Sequence, residues 1–164
     1  MGNLAAVNDA IFLPRGGSDE MRAKAMEVIS ERQRQIETTK KYHPLLIFAE
    51  GCTTNGSSLI KFKKGAFSGL KRVTPMVMMY SLDTSVSVAF DIIEVLPLAI
   101  LNLSWGFMHC KIIKLPDIWP TDYMFNRKEA QGLEKWEAYA EVVREVMSKA
   151  SGLPMSDLTY PQKR

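Results

Sequence analysis

A long polar segment separates two short apolar runs near the start of the chain. Ala10-Ile11-Phe12-Leu13 reads as a buried strand, and Pro14-Arg15-Gly16-Gly17 ends it. Ser18 suits a helix N-cap, because its hydroxyl can accept from an orphan backbone amide. Asp19 and Glu20 then complement the helix dipole. Met21, Ala25, Val28, Ile29 and Ile36 recur at helical spacing, which predicts a helix to about Thr38. Lys40, Lys41, Tyr42 and Pro44 lead into the second apolar run, Leu45 to Phe48. A helical crossover between two buried strands favours a parallel pair. The expected fold class is therefore α/β, with a mainly parallel or mixed sheet covered by helices.

The chain has 164 residues, enough for a single domain, and 46% are hydrophobic, enough for a core of useful size. Its 21 basic and 18 acidic residues give a net charge of +3, too small to point to nucleic acid. Two cysteines, Cys52 and Cys110, make no disulfide framework, so a reducing compartment is expected. Residues Met1 to Asp9 lack the basic and apolar regions of a signal peptide. Val86 to Met108 is the longest apolar region, but Asp91, Glu94 and Pro97 interrupt it. Its most apolar part, Val95 to Leu103, falls well short of the ~20 residues a spanning helix needs.

Beyond Ser68-Gly69, Val73 to Tyr80 reads as a strand, with Pro75 near its start where a missing amide is tolerable. Val86 to Ser104 reads as a buried helix kinked at Pro97, or as a helix lying on a membrane surface. Phe107 to Leu115 reads as a strand. Asn126 with Glu129 has the spacing of a capping box. Leu133, Trp136, Tyr139, Ala140, Val143 and Met147 form one stripe of the final helix, which Gly152 and Pro154 end. A loose tail is expected over 155–164.

Phe48 to Phe67 carries the most chemistry. After the second apolar run come Glu50, Gly51, a cluster of small hydroxyl residues and Asn55-Gly56; then Lys61, Lys63 and Lys64 surround Phe62. A carboxylate, backbone amides and lysines at a strand end can enclose a phosphorylated ligand. The same composition also suits a solvated basic loop. No cluster has metal-ligand spacing, and there is no glycine-rich nucleotide fingerprint. Cys52 with His43 as its base would be a thiol-nucleophile arrangement, but spacing alone shows neither a lowered pKa nor a placed base.

The wording of this stretch closely resembles the third sequence block of the glycerolipid acyltransferases that carry a His-x4-Asp motif. The similarity is greatest to the lysophospholipid, lysophosphatidylcholine-acyltransferase-like branch. The Glu50-Gly51 pair and the Phe62-Lys63-Lys64-Gly65-Ala66-Phe67 tail are intact, while Ala49 and Cys52 stand where the family usually has Pro and Thr. Ile11 to Arg15 resembles the second block and Val73 to Val77 the fourth, so residues 10–80 carry blocks two to four of one acyltransferase-like domain, which is expected to be incomplete.

The resemblance implies substrate-binding roles for Arg15 at an acceptor phosphate, for Glu50 and Gly51 in the acceptor site, and for Pro75 in the acyl-donor groove. Lys61, Lys63 and Lys64 would attract phosphate, acyl-CoA or anionic head groups. Glu50 would orient Arg15, a lysine or a backbone turn, or accept from a glycerol hydroxyl. The implied partners are a lysophospholipid, acyl-CoA as co-substrate without a further cofactor, and a cytosol-facing membrane surface such as the endoplasmic reticulum.

The catalytic block of such families lies upstream of the second block, and its histidine is the base. Here His43 has Phe48 at the aspartate position and His109 has Lys114. Two readings follow: the acceptor- and acyl-CoA-binding portion of an acyltransferase, with the missing part on a protein partner or further sequence, or a non-catalytic lipid-binding or structural subunit.

Overall fold

A computed structural model of the protein describes residues 10–11, 18–39, 42–52, 54, 56–82, 95–104 and 108–157. The architecture mixes α-helices with a two-stranded antiparallel sheet. In chain order the elements are α1 (Asp19–Thr39), a 3₁₀ turn (Lys64–Ala66), β1 (Met76–Leu82), α2 (Val95–Ser104) and β2 (Met108–Lys114). A short α3 (Asp122–Phe125), a second 3₁₀ turn (Lys128–Ala130) and α4 (Lys135–Ser151) follow.

Helix α1 occupies the segment that the spacing predicted. The Ser18 carbonyl accepts from the Arg22 amide at 3.2 Å, which closes its first turn. Its polar surface is laced with local pairs, such as the two-pronged Arg34–Glu31 contact (2.6 and 2.8 Å). Exposed pairs of this kind add only about 0–1 kcal/mol each. Ile29 is its buried residue. Ile29 lies beside Gly65, Gln33 lies against Gly69, and Glu37 pairs with Lys71 at 2.7 Å. These three positions, four apart, share one helix face, so α1 rests along the segment that follows Phe62.

The core forms between that segment and α4. Phe62 and Phe67 stack with ring centroids 6.0 Å apart, and Tyr139 meets Phe67 edge-on at 5.5 Å. Ala140 and Val143 complete the buried cluster, with Trp136 and Met147 packed against it. Tyr139 is fully buried, and its hydroxyl lies 2.7 Å from the Ile118 carbonyl and 3.1 Å from that of Lys71. The single phenolic proton thereby ties two chain segments to α4. Burial pushes the Tyr139 phenol up to about 12.

Several expectations are corrected. Leu45 to Phe48 forms no strand, and Leu46 and Phe48 are 62% and 67% exposed. An apolar run becomes a strand only when a neighbour supplies its hydrogen bonds. Phe12 and Leu13, half of the expected parallel partner, lie outside the described residues, as do Arg15, Asn55 and 83–94. The strand read from Val73 begins at Met76 and pairs antiparallel with β2 in the register Met76↔Lys114 to Leu82↔Met108. Pro97 lies in α2, and residues 86–94, over which the helix kinked at Pro97 was also expected, lie outside the described residues.

Asn126 ends α3 instead of starting the last helix, and the reciprocal capping box is Glu134 with Glu137. Gly132, at φ +83°, turns the chain between the two. Gly152, at φ +75°, ends α4 as expected. The tail expected to be loose from Met155 is held over its first residues: Met155 forms a parallel bridge with Leu59.

The two faces of the β1–β2 ribbon differ. Val77 is buried on one face, with Ile113 opposite it half-buried. On the other, Met76, Met78, Tyr80 and Ile112 are 40–59% exposed. Both faces are therefore apolar, and one is open.

Candidate functional site

The chain folds back at Phe48–Gly51, where the Gly51 amide donates to the Phe48 carbonyl at 3.0 Å. Glu50 lies in this turn, and Gly51 has φ +68°, a conformation that glycine adopts without a steric penalty. A methyl group at Gly51 would also lie 2.7 Å from Cδ of Lys63. The aliphatic stem of Lys63 thus runs directly over the bare Gly51 Cα. The Lys63 amide donates to the Ala49 carbonyl at 2.8 Å, which fixes the backbone from which that stem departs.

The Glu50 carboxylate closes the loop that follows. Its Oε1 accepts the Ile60 amide at 3.1 Å, and Oε2 lies 3.5 Å from the Thr54 hydroxyl. The Thr54 oxygen in turn accepts the Gly56 amide at 3.3 Å. Of the partners expected for Glu50, the described residues supply a backbone amide. A carboxylate makes a stronger acceptor than a neutral oxygen, so this contact is well suited to hold a loop in one shape.

The opposite side of the same segment is also held. Leu59 donates its amide to the Pro154 carbonyl (2.9 Å) and accepts the Ser156 amide (2.9 Å). Arg144 reaches the Ser156 carbonyl through Nη1 at 2.8 Å and Glu141 through Nη2 at 2.7 Å. Its side chain is only 3% exposed.

The sequence-derived site residues therefore separate. Glu50, Gly51 and Lys63 come together at one turn. Lys61 lies 3.9 Å from Asp157, and Lys64 pairs with Glu134 at 3.1 Å. Glu134 also accepts the Trp136 indole N–H at 2.7 Å, and the Lys64 and Trp136 donors hold its carboxyl below the usual range. This places Lys64 at the N-terminus of α4, where Glu134 is also the cap. Pro75 is buried just before β1, and its carbonyl accepts the Leu115 amide at 2.9 Å. Arg15 lies outside the described residues.

Sequence reasoning overlooked Arg144, although a signal was available. Arg144 lies four residues after Ala140 and three before Met147, on the stripe assigned to the core. A buried guanidinium needs acceptors, and two are supplied here. No group of three or more His, Cys, Asp or Glu able to hold a metal ion occurs among the described residues. No helix among them is long and apolar enough to cross a membrane. A shallow, solvent-open depression of about 10 Å³ between α3 and α4 is lined by residues such as Arg127, Leu133 and Glu145, with none of the predicted site residues among them.

A family model described as Acyltransferase matches residues 1–87, which include the Glu50–Gly51 turn and the whole segment to β1. The chain belongs to the acyltransferase family. Among curated proteins, this acyltransferase chain is 34% identical over 162 residues to the lysophosphatidylcholine acyltransferase of Drosophila melanogaster, covering 98% of the chain and 28% of that protein. It is 32% identical over 136 residues to a lysophospholipid acyltransferase of Arabidopsis thaliana, covering 83% of the chain and 32% of that protein. It is 30% identical over 161 residues to the human lysophosphatidylcholine acyltransferase 1, covering 97% and 28%. The chain thus spans about a third or less of the length of these relatives. No solved structure gives a significant match.

Proposed function

We propose that this chain forms the acceptor- and acyl-CoA-binding portion of a lysophospholipid acyltransferase, which moves an acyl group from acyl-CoA to a lysophospholipid hydroxyl. The observation that carries this reading is the Glu50–Gly51 turn. In a chain of this family, it holds a carboxylate by the Ile60 amide and lays the Lys63 side chain over Gly51. Acyl transfer needs a base for the hydroxyl proton, donors for the developing oxyanion and a site that holds the acceptor in line. The turn serves the last of these. Lys63 contributes positive charge near an acceptor phosphate, and Glu50 keeps the loop in shape or accepts from a glycerol hydroxyl. Arg15 and Pro75 complete the acceptor site and the acyl groove in this reading. Lys61 and Lys64 contribute a basic rim while paired with Asp157 and Glu134.

The base is supplied by a His-x4-Asp segment outside this sequence, on further chain or on a partner, and the assembly works on the cytosol-facing surface of a membrane. The sheet of that assembly is mainly parallel or mixed, with the β1–β2 ribbon as one part of it. The open apolar face of the ribbon supports this, because strands covered on both faces carry apolar residues on both. The second reading is a non-catalytic, lipid-binding or structural subunit. The Phe48 and Lys114 that follow the two histidines at the aspartate spacing favour it.

An acyl-CoA-dependent transfer assay on the 164 residues tests the central claim. No turnover is expected from the chain alone. Turnover that survives His43→Ala and Cys52→Ala would overturn the assignment of the base to other sequence. Recovery of activity when a His-x4-Asp segment is joined upstream favours the enzyme over the subunit reading.

A further inference from the structure

The Glu50 loop is clamped from two directions, and the second clamp comes from beyond the family match. In an extended segment successive backbone groups point to opposite sides. Leu59 directs its amide and carbonyl toward Pro154 and Ser156, while Ile60 directs its amide toward Glu50. Fixing Leu59 sideways therefore sets where the Ile60 amide stands, and so where the Glu50 carboxylate is pinned. The strip that fixes Leu59 is itself held by the Arg144 guanidinium at the Ser156 carbonyl.

Arg144 is costly in this position. A buried guanidinium forfeits its hydration, and an apolar side chain of similar length would fill the space without that cost. The Arg144 Nε has no hydrogen-bond partner among the described residues, so they do not satisfy the charge fully. What the apolar replacement lacks is the donor that holds the Ser156 carbonyl.

We propose that Arg144, acting through the 154–156 strip and Leu59, is a positioning residue that sets the Glu50 carboxylate in the acceptor site. Its importance for acceptor binding rests on the acceptor reading of Glu50; the clamp itself does not. Residues beyond position 87 would then tune a site whose recognisable motif lies before it.

Amide hydrogen exchange on the intact 164-residue chain tests the clamp. Arg144→Met should speed exchange at Leu59, Ile60 and Ser156 by about tenfold or more, while amides in the middle of α4 keep their protection. Arg144→Lys, which retains one donor for the Ser156 carbonyl, should restore most of it. Should Arg144→Met unfold the chain, Ser156→Pro gives the same reading, because it removes the amide donated to Leu59 and leaves Arg144 in place. An unchanged Ile60 amide overturns the proposal when exchange speeds at Ser156 in Arg144→Met, or at Leu59 in Ser156→Pro, where position 156 no longer carries an amide hydrogen.

Titration with glycerol 3-phosphate, followed by the amide shifts of Glu50 and Gly51, separates the two claims. Binding that weakens about tenfold in Arg144→Met and returns in Arg144→Lys supports both, a tenfold change being the unit such titrations resolve well. Wild-type shifts that are absent, with the exchange pattern intact, remove the acceptor reading and leave the clamp standing.

Discussion

Phe62, Phe67 and Tyr139 form an apolar surface closed on every side, with Tyr139 fully buried. Met76, Met78, Tyr80 and Ile112 form another, comparable in chemistry, that lies open. The closed surface draws its partners from distant parts of this chain: the third-block tail on one side and α4 on the other. The open surface belongs to a two-stranded ribbon, a unit that is rarely stable in water without something packed on it. Apolar patterning shows that a face is suited to burial, and the partner has to come from elsewhere. Here one face has its partner within the described residues and the other does not.

The contrast can be broken most forcefully at the closed surface. Phe67→Ala should cost about 3–5 kcal/mol of unfolding free energy, because it leaves a cavity under Tyr139 and Phe62. Denaturant unfolding reads this directly, and a loss below about 1 kcal/mol would mean that the stack is not the centre of the core. Gly51→Ala should cost about 1–3 kcal/mol, since alanine is strained at φ +68° and its methyl displaces Lys63. The same substitution should loosen the Glu50 loop, seen as faster amide exchange at Ile60.

Tyr139→Phe keeps the packing and removes the hydroxyl shared by Ile118 and Lys71, for an expected loss of about 1–2 kcal/mol. The phenol also makes stability depend on alkaline pH. Its folded pKa of about 12 lies above the ordinary value of 10.0, so the stabilisation is fully present below about pH 10 and is lost as pH rises through about 12. Tyr139→Phe should remove that component, which ultraviolet titration and unfolding at high pH would show. The smallest effect is expected on the ribbon. Ile112→Thr, at a position 59% exposed, should change stability by no more than about 0.5 kcal/mol. A larger loss would show that the face is covered after all.

The sequence disclosed those features that depend on near neighbours. The limits of α1, the Gly152 stop and the stripe Tyr139, Ala140 and Val143 all follow from residues within a turn or two of one another. Features that depend on a remote partner stayed hidden. Leu45 to Phe48 has the composition of a strand, but composition does not supply the neighbouring ladder. Lys61 and Lys64 read as ligand-seeking charges because nothing in their spacing names Asp157 or Glu134 as partners. Glu50 was recognisable from its motif, whereas its hold on Ile60, across an intervening loop, was one of several options. The Asn126 and Glu129 pair had the right spacing for a cap, and Glu134 with Glu137 took the role because Gly132 turns the chain between them.

The aromatic stack has a practical bearing on how this sequence can be cut and recombined. A graft made at residue 87, where the family match ends, would carry Phe62 and Phe67 into a new host and leave Tyr139 behind. Chimaeras that exchange the motif region should therefore keep the last helix with it, and libraries shuffled at that seam should be poor in soluble members.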